Sequence, residues 1–140
     1  MEANSITIHS TDRDDSVQIE RQETEQFVDY VVTALFRGER VTCNGIVFTD
    51  TSAFVQALEL FERTRSGSAV LEGNEDCRLT VEADGRMGHA WLRFQVARTL
   101  YAFSPQTGGS RLGQITLRGS FAISGEFITQ IVHDFAKLFR

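Results

Sequence analysis

Near its start the chain alternates apolar and polar positions with a period of two. "SITIHS" and "SVQIERQ" each gather their apolar side chains on one face, the pattern of half-buried strands. "QFVDYVVTALFR" is apolar on both faces and predicts a central strand, and "ERVTCNGIVF" turns back through Gly38 with a bulge expected at Asn44-Gly45. The spacing then becomes helical. In "TDTSAFVQALELFERTR", Phe54, Leu58 and Phe61 stand at i, i+4 and i+7 beside Ala57, with Asp50, Thr51 and Ser52 as candidate N-caps. Strands resume in "SAVLEG" and "DCRLTVEADGRMGHAWLRFQVA", and a last one is expected from Leu112 to Ile123 beyond the "SPQTGGS" loop. The closing "ISGEFITQIVHDFAKLFR" predicts a second helix, with Phe127, Ile128, Ile131, Val132, Phe135, Leu138 and Phe139 on one broad apolar face.

Aligning Phe54 with Phe127 also matches Phe48 with Phe121, Val55 with Ile128 and Leu58 with Ile131. A strand, a short polar turn and a helix are thus used twice, and both helices are expected to dock alike on a sheet. The elements predict one α+β domain over residues 1–140: an antiparallel sheet of about seven or eight strands in two meander-like runs, each followed by one α-helix. At 140 residues the chain is long enough for a core of its own.

Composition adds that this core is aromatic, since the chain holds eleven Phe. No apolar run approaches the roughly 18 residues of a membrane span, and the first residues lack the basic start and apolar stretch of a signal peptide, so a cytoplasmic protein with no membrane partner is expected. Cys43 and Cys77 carry no C-x-x-C spacing and lie in apolar strand patterns, which reads as two reduced core thiols, with a disulfide or a metal site as the alternatives.

Charge is unevenly placed. Residues 1 to 30 hold eight acids against Arg13 and Arg21, whereas residues 31 to 140 hold eleven acids against twelve bases. Solvated loops and an edge strand protected from association account for this. An acidic face for a basic partner, carried by Asp12, Asp14, Asp15, Glu20 and Glu23, is the sharper reading. The acidic balance and the single lysine disfavour nucleic acid.

Catalytic signals are scarce. His133 and Asp134 adjoin, but successive helical residues diverge by about 100° and do not face one another as a base and its orienter must. His9 and His89 fall on predicted strands without ligand spacing, and no P-loop, H-E-x-x-H or G-x-S-x-G occurs. No catalytic residue, metal ligand or cofactor is assigned, and an enzyme is not expected.

The most specific local signal is "ADGR". Asp84-Gly85 suits a two-residue type I′ turn, pairing Val81 with Gly88, Leu79 with Ala90 and Cys77 with Leu92 on one face, and Arg78 with Trp91, Thr80 with His89 and Glu82 with Met87 on the other. That register sets Trp91 outside the core with Arg78 or Arg93 over its ring. An ordinary cross-strand pair is the plain reading; Trp91, Arg78 and Arg93 as a partner-binding anchor is the functional one.

The succession "GIVFTDTSAFVQALELFERTRSGSAVLEG", "RLTVEADGRMGHAWLRFQV" and "GSFAISGEFITQIVHDFAKLF" resembles the layout of WapI-type bacterial immunity proteins and their relatives over roughly residues 40 to 140. Its elements are a strand leading into a helix, a Gly-His strand such as Gly88-His89, and a final strand-turn-helix. The resemblance implies an α+β cytosolic protein that neutralises a toxin by binding it, and assigns no residue a role. The alternative from another class is a small-molecule-binding or sensory domain, with an apolar pocket between sheet and helices.

Overall fold

The apolar alternation of the first strands is resolved by their pairing. In β1 (Ser5–His9) and β2 (Ser16–Glu23), Ile6 lies opposite Ile19 and Ile8 opposite Val17, so all four side chains enter the core together. β3 (Val28–Phe36) and β4 (Glu39–Ile46) complete an antiparallel sheet of order β1-β2-β3-β4. Tyr30 pairs with Ile46 and Val32 with Cys43, which leaves one extra residue in β4 at Asn44-Gly45. Gly45 takes a φ of 69° there, and the expected bulge is present. The computed structural model describes residues 4–85, 88–105 and 108–139.

Past the bulge the chain leaves this sheet. β5 (Phe48–Thr49) opens a second antiparallel sheet, followed by α1 (Thr51–Thr64), β6 (Ser68–Gly73), β7 (Arg78–Ala83), β8 (Ala90–Ser104) and β9 (Gly108–Ile123), in the order β5-β6-β7-β8-β9. A 3-10 turn (Gly125–Phe127) leads into α2 (Ile128–Leu138). The fold is therefore α+β with two sheets of four and five strands and two helices. The arrangement is looser than one helix closing each run: α1 stands between the first two strands of the second sheet, because β5, at two residues, is too short to show a period.

Both helices present the faces their spacing predicts. Phe54, Leu58 and Phe61 of α1 are buried, as are Ile128, Ile131, Val132, Phe135 and Leu138 of α2. They do not dock alike: α1 lies on β6 and against α2, whereas α2 lies against α1 and β1. Phe127, the counterpart of buried Phe54, sits in the 3-10 turn and is 49% exposed. Asp50 caps α1 by accepting from the Ala53 N–H at 3.4 Å. Arg21 reaches from β2 to donate to the Leu138 carbonyl at 2.9 Å, satisfying an end of α2 that lacks helical partners.

Aromatic rings join the layers. Phe54 of α1 meets Phe135 of α2 edge-on at 5.0 Å, and Tyr30, Phe48 and Phe139 bring β3, β5 and the end of α2 together at 5.1 to 5.8 Å. Each edge-to-face pair adds about 0.5–1.5 kcal/mol to the area it buries. The sheets approach one another at Phe36 and Phe94, 5.4 Å apart, where a Cβ on Gly119 would lie 2.7 Å from the Phe36 ring. Only glycine fits between them without displacing a ring.

Candidate partner-binding surfaces

The β7–β8 pairing differs from the two-residue turn read at Asp84-Gly85. Ala83 pairs with Ala90, Val81 with Leu92 and Leu79 with Phe94, so the connection runs from Asp84 to His89. The register has moved by four residues, and an even shift leaves every side chain on its expected face. Cys77, Leu79, Val81, Ala90, Leu92 and Phe94 are accordingly all buried. Met87 and Arg86 lie outside the described residues. The competing force comes from residues distant in sequence: Gly88 approaches Gly125 so closely that a Cβ on Gly125 would stand 2.9 Å from the Gly88 carbonyl. Arg65, the αL C-cap of α1, donates to Gly88 O at 3.0 Å and Gly125 O at 3.2 Å, and His89 Nδ1 accepts the Gly125 N–H at 2.9 Å. Gly88 and His89 therefore belong to a loop clamped onto the start of α2 rather than to a strand; His9 is on β1 as expected.

The shift changes the partners on the open face. Trp91 lies opposite Glu82 instead of Arg78, and its indole N–H donates to Asp84 Oδ1 at 2.7 Å. Arg93 pairs with Glu82 and Arg78 with Glu72 at 3.5 Å. Neither arginine lies over the indole: among the described residues the cation above a ring is Arg37, 5.5 Å from the centre of Phe36. Trp91, 37% exposed, does share this face with Arg78 and Arg93. Arg118, which sequence reasoning missed, joins them across Gln95, and the arginines border a shallow depression of about 350 Å3. Its signal was available only through the β8–β9 register.

Farther along the same strands an apolar strip comes to the surface. Leu92, Phe94 and Val96 face the core, but Leu100 on that side of β8 and its β9 neighbour Ile115 are exposed, and Leu112 at a bulge is 70% exposed. The opposite side is braced, with Tyr101 donating to Glu75 at 3.4 Å and Gln114 to Asp76 at 2.8 Å. From 88 to 125 the sequence holds four arginines and no acid. The hairpin is thus a basic arm with an open apolar side.

The acids of the first thirty residues are dispersed. Asp12 and Asp14 project from the β1–β2 turn, Glu20 stands on the outer side of β2, and Glu23 at its far end faces Arg21 at 3.6 Å. Roughly the length of β2, about 25 Å, separates the turn from Glu23. Asp15 is 3% exposed and accepts the Arg37 N–H at 2.9 Å, which makes it a structural acid rather than a surface charge. Asp12 accepts from the Ser10 hydroxyl and then from the Asp14 N–H, and these bonds hold its carboxyl below the usual range.

The remaining groups of chemical interest are spent on structure. Asp134 accepts from Gln130 at 2.7 Å and His133 points to solvent on α2. Cys43 and Cys77 are unbridged and buried, and burial pushes the Cys77 thiol up to about 12, with the neighbouring Cys43 adding to it. Among the described residues no three His, Cys, Asp or Glu gather as a metal site, and no helix is long and apolar enough to cross a membrane. The space between sheets and helices, where an enclosed ligand pocket was the alternative, holds the rings of Tyr30, Phe48, Phe54, Phe135 and Phe139. Comparison with known protein families, curated proteins and solved structures finds no match.

Proposed function

We propose that this chain is a non-catalytic protein-binding domain whose principal contact surface is the outer part of the β8–β9 hairpin. The observation that carries the reading is the side of that hairpin where Leu100 and Ile115 stand in water while the same side nearer its base is core, with Leu112 exposed at the adjoining bulge. Contiguous exposed apolar side chains with a charged border mark protein interfaces. Arg98, on the same side of β8 as Leu100, supplies the border, and Trp91 with Arg93 on the other side offers a second contact. A partner for the arm presents apolar side chains among acids. Under the resemblance to immunity proteins, that partner is a bacterial toxin held inactive by the complex.

The test is co-purification of the tagged protein from its native host, followed by the doubly substituted Leu112→Glu, Ile115→Glu variant. A stoichiometric protein partner that this variant no longer retains supports the reading, and restored growth on co-expression with that partner supports the toxin. Absence of any partner, or one held equally by the variant, overturns the proposed surface.

A further inference from the structure

A cleft of about 440 Å3 opens between the end of β1, the β1–β2 turn and the start of α2. Its size falls within the roughly 300–1,000 Å3 of small-ligand sites. Phe127 and Ile131 give it apolar lining, Thr7, Thr11 and Ser124 contribute hydroxyls, and Arg13 of the β1–β2 turn shares the lining with Glu126 and Asp134. Among the described residues, neither Arg13 nor Glu126 forms an ion pair. Opposite charges thus line one cleft without neutralising each other. Phe127 keeps half of its ring in solvent although a core lies beneath it.

The wall that carries Arg13 is fixed in advance. Buried Ser10 donates to Asp12 at 2.5 Å and accepts the Asp15 N–H at 3.1 Å, Asp15 accepts the Arg37 N–H, and Thr11 donates through its N–H to the Ala122 carbonyl at 3.0 Å. Arg13 itself adopts the left-handed conformation, φ 67°. A turn whose backbone is already ordered loses less entropy when a ligand engages a side chain it carries. The other wall is the first turn of α2 and the 3-10 turn before it.

We propose that this cleft binds a small zwitterion with an apolar side chain, a free amino acid. The ligand's carboxylate meets the Arg13 guanidinium, its ammonium meets Glu126 and Asp134, and its side chain lies on Phe127 and Ile131. A zwitterion is the ligand that uses both signs of charge at once; an anion would face two carboxylates and a simple amine would leave Arg13 unanswered. This site does not depend on the β8–β9 surface, so either can fail alone.

Calorimetric titration of the whole chain with L-leucine and L-phenylalanine tests it, beside N-acetyl-leucine, leucinamide and glycine. Saturable binding of leucine or phenylalanine is expected, about tenfold weaker when either charge of the ligand is removed and similarly weakened by Arg13→Gln, Glu126→Gln or Phe127→Ala. These positions are exposed, and an unchanged thermal midpoint shows that the variants remain folded. Lack of binding by both amino acids overturns the site. Equal binding of N-acetyl-leucine overturns the role of Glu126 and Asp134, equal binding of leucinamide that of Arg13, and binding untouched by all three substitutions places the ligand elsewhere.

Discussion

The base and the tip of the β8–β9 hairpin share one pair of strands and one alternation, yet their inner sides end in opposite surroundings. Leu92, Phe94 and Phe121 near the base are buried where the first sheet packs on the hairpin, while Leu100 and Ile115 toward the tip stand in water. Alternation assigns a residue to a side of a sheet; whether that side is covered depends on what packs opposite, which is set by other parts of the chain. An exposed residue with a core residue's pattern is therefore a place where a cover is missing, and that difference separates the open tip from the core in this molecule.

Stability measurements sharpen the contrast. The largest loss is expected at Phe135→Ala, about 3–5 kcal/mol by chemical unfolding, because the ring contacts both Phe54 and Phe139. Leu92→Ala at the hairpin base should cost about 2–5 kcal/mol, and a cost as small as that of a tip residue would break the comparison. Asp15→Ala should cost about 1–3 kcal/mol by leaving the Arg37 N–H without its carboxylate, whereas Asp14→Ala should leave the unfolding midpoint nearly where it was.

A pH effect of similar size belongs to Cys77. The folded thiol is pushed from the ordinary 9.0 to about 12 by burial. The unfolded thiol ionises first, so its contribution to stability is complete below pH 9 and is lost as pH rises toward 12, at up to about 1.4 kcal/mol per pH unit. Unfolding midpoints measured between those pH values should fall more steeply for the wild type than for Cys77→Ala. The smallest effects are expected at the tip and on the wet side of α2: Leu112→Ala, and His133→Ala with Asp134→Ala, should each stay within about 0.5 kcal/mol. A larger loss at Leu112 would show that the arm is covered in the folded monomer.

Much of the fold is legible in the sequence because single-element signals sufficed. Phe54, Leu58 and Phe61 announced α1, Asn44-Gly45 the bulge of β4, and the buried side expected of Leu79, Val81, Ala90, Leu92 and Phe94 survived a wrong register. What escaped was nonlocal. Asp84-Gly85 suits a tight turn by itself, but Arg65 and Gly125, distant in sequence, hold Gly88 and His89 in a longer loop. Asp15 reads as one more acid in an acidic stretch until Arg37 closes over it, and Arg118 becomes part of the Trp91 side only through pairing with Gln95. Phe127 has the spacing of a core residue and the position of a surface one, because the 3-10 turn rotates it away from the face of α2.

The aromatic cluster at Tyr30, Phe48, Phe54, Phe135 and Phe139 draws its rings from β3, β5, α1 and the last helix in chain order. During synthesis the chain emerges at about 5–20 residues per second, so the early rings are made several seconds before the helix that covers them. Until α2 leaves the ribosome, Tyr30, Phe48 and Phe54 lack the partners that enclose them, and Arg21 lacks the carbonyl it caps. The rings of the first sheet and α1 therefore gain their enclosing partners only after α2 has been made.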